Sequence, residues 1–384
     1  MNNYLGKPEN YDKEKIKNLL ETRKLSSIAN LEKAIFALEY IAQLKEEGFD
    51  FIFKGGSAIQ ILLGDQWNRL SVDADICTNA SKDELDSALD SIKSRFNGVD
   101  FSYAPRESDL DNFFASYRIS TPPITDTART ILLDVQLITP KYSVQDTKLE
   151  SFFYKTDKMV QTPTVNSILG DKLSVIGPTT VGRKLDDSRN GIEYAKHFYD
   201  INSLHKNLSN FEETRVTYSS IIKIQEKIRR KTFQLDHCIN DAQFTCQVAS
   251  LPQGLGTKLI EESSIDKDRA SLEFEKLQTG LRQFGSFIVN KMPYAWDILR
   301  DYSANTALLL ELVRKNCSNK QALSILETDF VKKRGVPSIL KRIEDVDKEN
   351  RWFIDLEEIT VFPQIMEKWY KLYYIDELIE NESI

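Results

Sequence analysis

The sequence predicts an α+β protein, with a small mixed β-sheet flanked by helices in its first half and an all-helical second half. The first observation is a set of short apolar, aromatic or β-branched runs that are typical of strands, at residues 51–53, 71–76, 99–104, 113–119 and 130–138. The second is that the pattern from about Asn207 onward is almost wholly helical. We therefore expect two domains, residues 1–204 and 205–384, with the boundary near Leu204.

Helical periodicity accounts for most of the remaining chain. A long segment, Ser26 to Glu47, carries an apolar stripe and is expected to pack on the sheet. Other segments with helical spacing are 13–23, 83–96, 217–235, 272–289 and 306–313.

Composition limits the class of protein. The 384 residues have a formal net charge of −7, which argues against a protein that coats nucleic acid by bulk charge. The four cysteines are scattered without a Cys-x-x-Cys pair, and the chain begins with a polar segment that does not resemble a signal peptide. No apolar run approaches the roughly 20 residues that span a bilayer. We expect a cytoplasmic protein with no membrane segment.

A strand followed by two glycines and a helix is the first functional signal. Residues 51–53 predict a strand, Gly55 and Gly56 permit a tight turn, and Ser57 is a suitable N-cap for a helix through 58–63. Backbone N–H groups at a helix start can bind an anion such as a triphosphate. A lone Gly-Gly is usually only a turn, so its meaning depends on the next strand along the chain.

That next strand carries two carboxylates. Alternation over residues 71–76 places Asp73 and Asp75 on one face, opposite an apolar face. Two carboxylates this close repel unless a cation lies between them, and oxygen ligands are what Mg²⁺ prefers. A lone Asp-x-Asp also occurs on solvated edge strands. The order of strand, Gly-Gly-Ser, helix and Asp-x-Asp strand favours metal-assisted chemistry on a nucleotide.

A third carboxylate interrupts the apolar run at residues 130–138. Asp134 shares a strand face with Leu132 and Gln136, and an ionised group there is costly unless a metal, a partner or solvent receives it. The alternative is an exposed position on a sheet that is open to water on one side.

Two runs, KGGSAI at 54–59 and RLSVDADI at 69–76, resemble the paired signature of the AbiEii-type nucleotidyltransferase toxins, within the DNA polymerase β-like nucleotidyltransferase superfamily. The resemblance implies that Asp73, Asp75 and Asp134 bind Mg²⁺ or Mn²⁺ and form the catalytic set. It also implies that the nucleotide is bound by Lys54, Gly55, Gly56, Ser57 and Arg69. It covers the first half of the chain, and the second half only in being helical.

Two helical residues extend the resemblance. Lys172 lies on or beside the apolar stripe of a helix at 164–176, where it could snorkel to water, but a lysine in a similar helix of the family contacts the nucleotide phosphates. Asp200 matches the aromatic-Asp motif of the family, although Lys196 stands where an arginine is commoner. The resemblance therefore adds Lys172 and Asp200 to the catalytic residues, and Lys172 to the nucleotide-binding ones.

The resemblance also implies an activity and partners. It implies a toxin that transfers a nucleotidyl group from an NTP to RNA such as the tRNA 3′ end, in a bacterial toxin-antitoxin or phage-defence (abortive infection) system with a separately encoded antitoxin. An antibiotic-modifying type of small-molecule nucleotidyltransferase and a non-catalytic nucleotide-binding protein remain alternatives. Two basic clusters, 223–231 and 331–335, could bind a nucleic-acid backbone or be solvated helix faces.

Overall fold

The structure is a computed structural model that describes residues 3–104, 113–126, 129–185 and 190–382. It divides into two compact units. Unit 1 comprises Met1–Ile168, Lys227–Arg230 and Gly285–Met292, and unit 2 comprises the rest of the chain. Within the described ranges, no helix combines the length and the apolar character needed to cross a bilayer.

Unit 1 contains a five-stranded mixed sheet with the strand order β1-β2-β5-β4-β3. Its strands are β1 Ile52–Lys54, β2 Ala74–Cys77, β3 Asp100–Tyr103, β4 Phe114–Thr121 and β5 Arg129–Gln136. The central pair β2–β5 is parallel, and the other pairs are antiparallel. A separate two-stranded sheet is formed by β6 Val144–Lys148 and β7 Met159–Pro163. The predicted α+β class and mixed sheet are confirmed.

Four helices belong to unit 1: α1 Lys13–Thr22, α2 Ile28–Glu46, α3 Gly55–Leu63 and α4 Lys82–Ser94. As predicted, α2 packs on the sheet. It is buried on nearly all sides, so its carboxylates need partners in the interior. Glu32 is fully buried and forms an ion pair with Arg129 at the start of β5, with Nε and Oε2 2.6 Å apart. This pair ties α2 to the strand that also carries Asp134.

The chain re-enters unit 1 late, at residues 285–292. Leu70 N donates to Phe287 O at 2.7 Å, and Val289 N donates to Asn68 O at 2.9 Å. Arg69 and Ile288 are antiparallel bridge partners. The loop that leads into β2 is therefore held by a segment more than two hundred residues further along the chain. The predicted helix at 272–289 ends earlier, at Phe284.

The regular structure in the rest of the described chain is helical. α5 Val165–Ser174 spans the division between the units, and the last residues of α7 belong to unit 1. The others are α6 Asn190–His205, α7 Phe211–Arg229, α8 Leu235–Ala249, α9 Gly256–Glu262, α10 Lys267–Phe284, α11 Trp296–Arg314, α12 Asn319–Glu327, α13 Phe330–Arg334, α14 Val336–Glu344, α15 Pro363–Tyr373 and α16 Ile375–Glu382. The helical character predicted for the second half is confirmed. The division into domains at residue 204 stays a prediction.

A buried carboxylate orders the loop after α5. Asp241 on α8 accepts hydrogen bonds from the backbone N–H of Thr179 at 2.9 Å and of Thr180 at 2.8 Å. It also accepts from both threonine hydroxyls at 2.7 Å and pairs with Arg269 at 2.7 Å. Because the buried Asp241 carboxylate would be costly without partners, these hydrogen bonds favour one conformation of the loop.

Candidate active site

The start of α3 lies against the candidate carboxylates. Lys54, in extended conformation, is the N-cap, and the helix begins at Gly55. The prediction that Ser57 is the N-cap is therefore wrong. Lys54 is still the register partner of Asp75 in the β1–β2 pair, and the helix begins at the next residue. The N–H groups of 55–57 lie in the first helical turn, where N–H groups have no intrahelical acceptor and can bind an anion.

Two glycines in this turn allow close approach of charged side chains. Gly55 has a φ of +75°, and a Cβ added to it would lie 2.2 Å from Oδ2 of Asp75. A Cβ on Gly56 would lie 2.5 Å from the Ser71 hydroxyl and 2.8 Å from Nη2 of Arg69. The Asp75 carboxylate and the Arg69 guanidinium therefore both lie against the first turn of α3. A side chain at Gly55 would be strained and would overlap Asp75, whereas one at Gly56 would displace the Ser71 hydroxyl and the Arg69 guanidinium.

Asp75 and Asp134 are paired across the two central strands. They are register partners in the parallel β2–β5 pair, so their side chains project from the same face at the same level. Both side chains are half-buried. As predicted, Leu132 and Gln136 share the face of Asp134, while Leu133 and Val135 are buried on the other face. The third carboxylate of the predicted set thus lies on the strand next to Asp75.

Asp73 lies one residue before β2, which is shorter than the predicted strand at 71–76. Its backbone is fixed by Ser57, whose hydroxyl donates to the Asp73 carbonyl oxygen at 2.6 Å. Ser57 is 1% exposed, so its hydroxyl is directed into the protein. Any contact of Ser57 with a phosphate would therefore use its backbone N–H.

Further polar groups surround this arrangement. Nζ of Lys54 donates to Oε1 of Gln136 at 3.2 Å. Arg69 is 3% exposed, its guanidinium lies 4.9 Å from the Trp67 ring centroid, and Nη1 donates to the Leu70 carbonyl at 3.1 Å. Such contacts fix a guanidinium in place before any ligand binds.

Sequence reasoning missed Ser116. This residue of β4 is the register partner of Asp134, is 3% exposed, and donates its hydroxyl to Oδ1 of Asp134 at 2.8 Å. A hydroxyl at a buried position of a strand is a weak signal in a sequence. Its importance depends on the β4–β5 register, which a single sequence does not specify.

The donor set is compatible with a divalent cation. Carboxylates from two adjacent strands supply the hard oxygen ligands that Mg²⁺ prefers. Among the described residues, no group of three His, Cys, Asp or Glu side chains is arranged to hold a metal ion by itself. Mg²⁺ is usually held by one or two carboxylates together with substrate phosphates and water, so the chain fits a metal that enters with its nucleotide.

Unit 2 brings together the other two predicted residues. Nζ of Lys172 lies 3.0 Å from Oδ2 of Asp200, and Asp200 is fully buried while Lys172 is 9% exposed. The Lys172 ammonium therefore pairs with a buried carboxylate instead of simply extending into water, as a snorkelling lysine would. Lys196, which stands where an arginine is commoner in the family, forms an ion pair with Glu193 at 2.9 Å.

Burial and nearby charges shift the pKa values of His197 and Glu193, which lie on the same helix as Asp200. The pKa of His197 is lowered to about 3, first by burial and then by Lys172, so the ring is neutral near pH 7. The pKa of Glu193 is lowered to about 2: burial opposes this shift, and Lys196, His197 and Arg183 outweigh it. Unit 2 therefore holds fixed charges close to Lys172.

Comparison with known proteins agrees with the motifs. A family model described as "Nucleotidyl transferase AbiEii toxin, Type IV TA system" matches residues 38–282, which is well over half of the chain. None of the curated proteins matches the sequence significantly.

Two solved structures resemble the fold weakly. An H. pylori protein assigned as a nucleotidyltransferase is 17% identical, with a TM-score of 0.36 over 79% of this chain and 100% of that chain. MenT4, the nucleotidyltransferase toxin Rv2826c from Mycobacterium tuberculosis H37Rv, is 10% identical, with a TM-score of 0.41 over 77% of this chain and 97% of that chain. The assignment therefore depends on the family model and on the motifs it covers. The chain belongs to the AbiEii family of nucleotidyltransferase toxins.

Proposed function

We propose that this nucleotidyltransferase uses Mg²⁺ or Mn²⁺ and transfers a nucleotidyl group from an NTP to an RNA acceptor, with the tRNA 3′ end as the favoured site. The observation that carries the proposal is the Asp75–Asp134 register pair beside the first turn of α3. It joins two carboxylates, a set of N–H donors and a buried guanidinium in one small region of unit 1.

In the proposed reaction, an acceptor hydroxyl oxygen attacks the α-phosphorus of the NTP. A new O–P bond forms, the bond from the α-phosphorus to the bridging oxygen breaks, and pyrophosphate leaves. The hydroxyl proton passes to a base, for which Asp134 is the candidate because it is half-buried next to Asp75. When bound, divalent cations would stabilise the attacking and leaving oxygens of such a displacement.

The remaining residues are proposed to bind and orient the nucleotide. The N–H groups of Gly55, Gly56 and Ser57 would contact the β and γ phosphates, and Lys54 and Arg69 would offset their charge. Lys172 would contact the phosphates as well, with Asp200 holding its ammonium in place. Asp73, whose carbonyl is held by Ser57, would bind the metal together with Asp75 and the nucleotide phosphates.

We further propose the biological setting that the family name suggests. A separately encoded antitoxin would counteract this toxin in a bacterial toxin-antitoxin or phage-defence system. Action in the cytoplasm is supported by the four cysteines, which are all buried and free of disulfides.

The test compares wild-type protein with Asp134→Asn, which keeps the size of the side chain but loses its charge. Each labelled NTP is incubated with Mg²⁺ and total cellular RNA, and the RNA is sized on a denaturing gel. Asp146→Asn is the matched control, because Asp146 is an exposed residue of β6. We expect label in a tRNA-sized band for wild type and Asp146→Asn, and at least a hundredfold less for Asp134→Asn.

Two results would change the proposal. Equal labelling by Asp134→Asn would refute the site. Absence of label in RNA would refute the acceptor. In that case pyrophosphate release with a small-molecule acceptor would favour the antibiotic-modifying alternative, and NTP binding without release would favour a binding protein.

A further inference from the structure

A run of cations in unit 2 stands out against the acidic chain. From Phe330 to Ile343 there are five Lys or Arg residues and no Asp or Glu, whereas the whole chain has a net charge of −7. The run covers α13 and most of α14, which pack against each other and against α15. We call Lys332, Lys333, Arg334 and Lys341 the α13–α14 basic surface.

These four side chains are exposed. None of them forms an ion pair with a carboxylate in the part of the chain that the structure describes. Arg342, the fifth cation of the run, differs because it pairs with Glu377. Adjacent like charges repel, so an external anion that lay across the cluster would relieve this repulsion.

Aromatic rings underneath hold part of the surface in place. The guanidinium carbon of Arg334 lies 5.6 Å from the ring centroid of Phe330 and 5.7 Å from that of Tyr370. Nζ of Lys333 lies 5.7 Å from the Phe330 ring. Phe330 and Tyr370 are themselves buried. Cations supported from below in this way lose less side-chain entropy when they bind an anion.

The shape of the surface favours a long anion over a small one. The groove beside α13, about 600 Å³ in volume, is lined by Lys332 and Lys333 but also by Glu327 and Asp329. Charges of both signs make it a poor site for a single phosphate. The cations are instead exposed along two successive helices, as suits a polymer with repeated phosphates.

We propose that the α13–α14 basic surface binds the phosphate backbone of the RNA acceptor. The inference rests on the proposed function, since it names where the RNA would be held outside the reaction site. A membrane surface fits less well. The exposed large apolar side chains of the described residues are Tyr103, Val144, Met159, Val216, Leu272, Met292 and Val361, and none of them lies between residues 330 and 343.

The experiment measures binding of fluorescently labelled tRNA by the full chain at several KCl concentrations. The test variant combines Lys332→Gln, Lys333→Gln and Arg334→Gln. The control variant combines Lys258→Gln, Lys267→Gln and Lys348→Gln, three exposed lysines elsewhere in unit 2 that give the same change in charge.

Each phosphate contact contributes about 0.7–0.9 to the slope of log K against log salt, so the loss of three cations should lower the magnitude of the wild-type slope by about 2–3. The control should lose less than about 1, and binding of a fluorescent NTP should be unchanged in both variants.

Two outcomes would overturn the inference. The first is a test variant that keeps the wild-type slope while wild type still labels RNA, which leaves the proposed function intact. The second is a test variant that keeps its tRNA binding but loses binding to anionic vesicles or to an acidic protein. Failure of the proposed function looks different, because wild type itself would then label no RNA with any NTP.

Discussion

Replacement of Gly55 by alanine tests whether the geometry around Asp75 matters for the reaction. The change has two physical effects. Alanine is strained at a φ of +75°, and its Cβ would lie 2.2 Å from Oδ2 of Asp75, where ordinary contact begins at 3.4 Å. The left-handed conformation costs alanine about 1–2 kcal/mol. Overpacking typically adds about 1–3 kcal/mol.

The effect on activity follows from the same distances. To relieve the overlap, the Asp75 carboxylate must move by roughly 1 Å, and a misplacement of that size can lower a rate by about a hundredfold. We therefore expect Gly55→Ala to lose about 2–5 kcal/mol of unfolding free energy and about two orders of magnitude in kcat. Urea unfolding and initial rates of pyrophosphate release measure the two quantities.

Gly48 provides a matched control. It also has a φ of +75°, but a Cβ added there meets nothing within 4 Å. Gly48→Ala should therefore show only the conformational cost, about 1–2 kcal/mol, with unchanged kcat. If Gly55→Ala matched Gly48→Ala in both stability and rate, the contact with Asp75 would be irrelevant to catalysis and our reasoning about the site would fail.

Three further predictions concern other polar contacts. Ser116→Ala should weaken Mn²⁺ binding in the presence of NTP by about 10–100-fold, since it removes a hydrogen bond that orients Asp134. Isothermal titration calorimetry gives the affinity for Mn²⁺, and Ser116→Thr should restore it. Lys172→Met should lower the free energy of urea unfolding by about 3–5 kcal/mol, because it removes the ion-pair partner of the buried Asp200. Adding Asp200→Asn to this variant should restore stability but not activity. Restored activity would argue against a role for Lys172 in the reaction. The pKa of His205 is lowered to about 4 from its ordinary 6.5, chiefly by burial, so the unfolded chain binds more protons between these pH values and stability falls as the pH falls through them. His205→Gln should make the loss of stability between pH 7 and pH 5 shallower, by up to about 1.4 kcal/mol per pH unit, and an unchanged profile would contradict the assignment.

Local patterns predicted the parts of the candidate site that local physics determines. The strand, the two glycines and the helix follow each other as the sequence indicates, and Asp134 lies on a strand because its neighbours alternate. The prediction that Ser57 is the N-cap is wrong because the strand pairing of Lys54 with Asp75, a tertiary interaction, determines where the helix begins.

The remaining features depend on contacts between distant residues. The level pairing of Asp75 with Asp134 and the hydrogen bond from Ser116 are consequences of strand register. A single sequence specifies which face a residue occupies more strongly than which residue lies opposite it. Residues 285–292 carry no local signal for joining a sheet domain, since their role is to pair with residues 68–70.

That late segment also affects when the protein could become active during its synthesis. Both paired carboxylates have been translated by residue 134, but the loop that carries Arg69 gains its backbone partners only at residues 287–289. A nascent or truncated chain that ends before residue 285 would have its carboxylates without this support. In the toxin-antitoxin setting proposed above, the fold itself would delay full assembly of the candidate site until about three-quarters of the chain has been made.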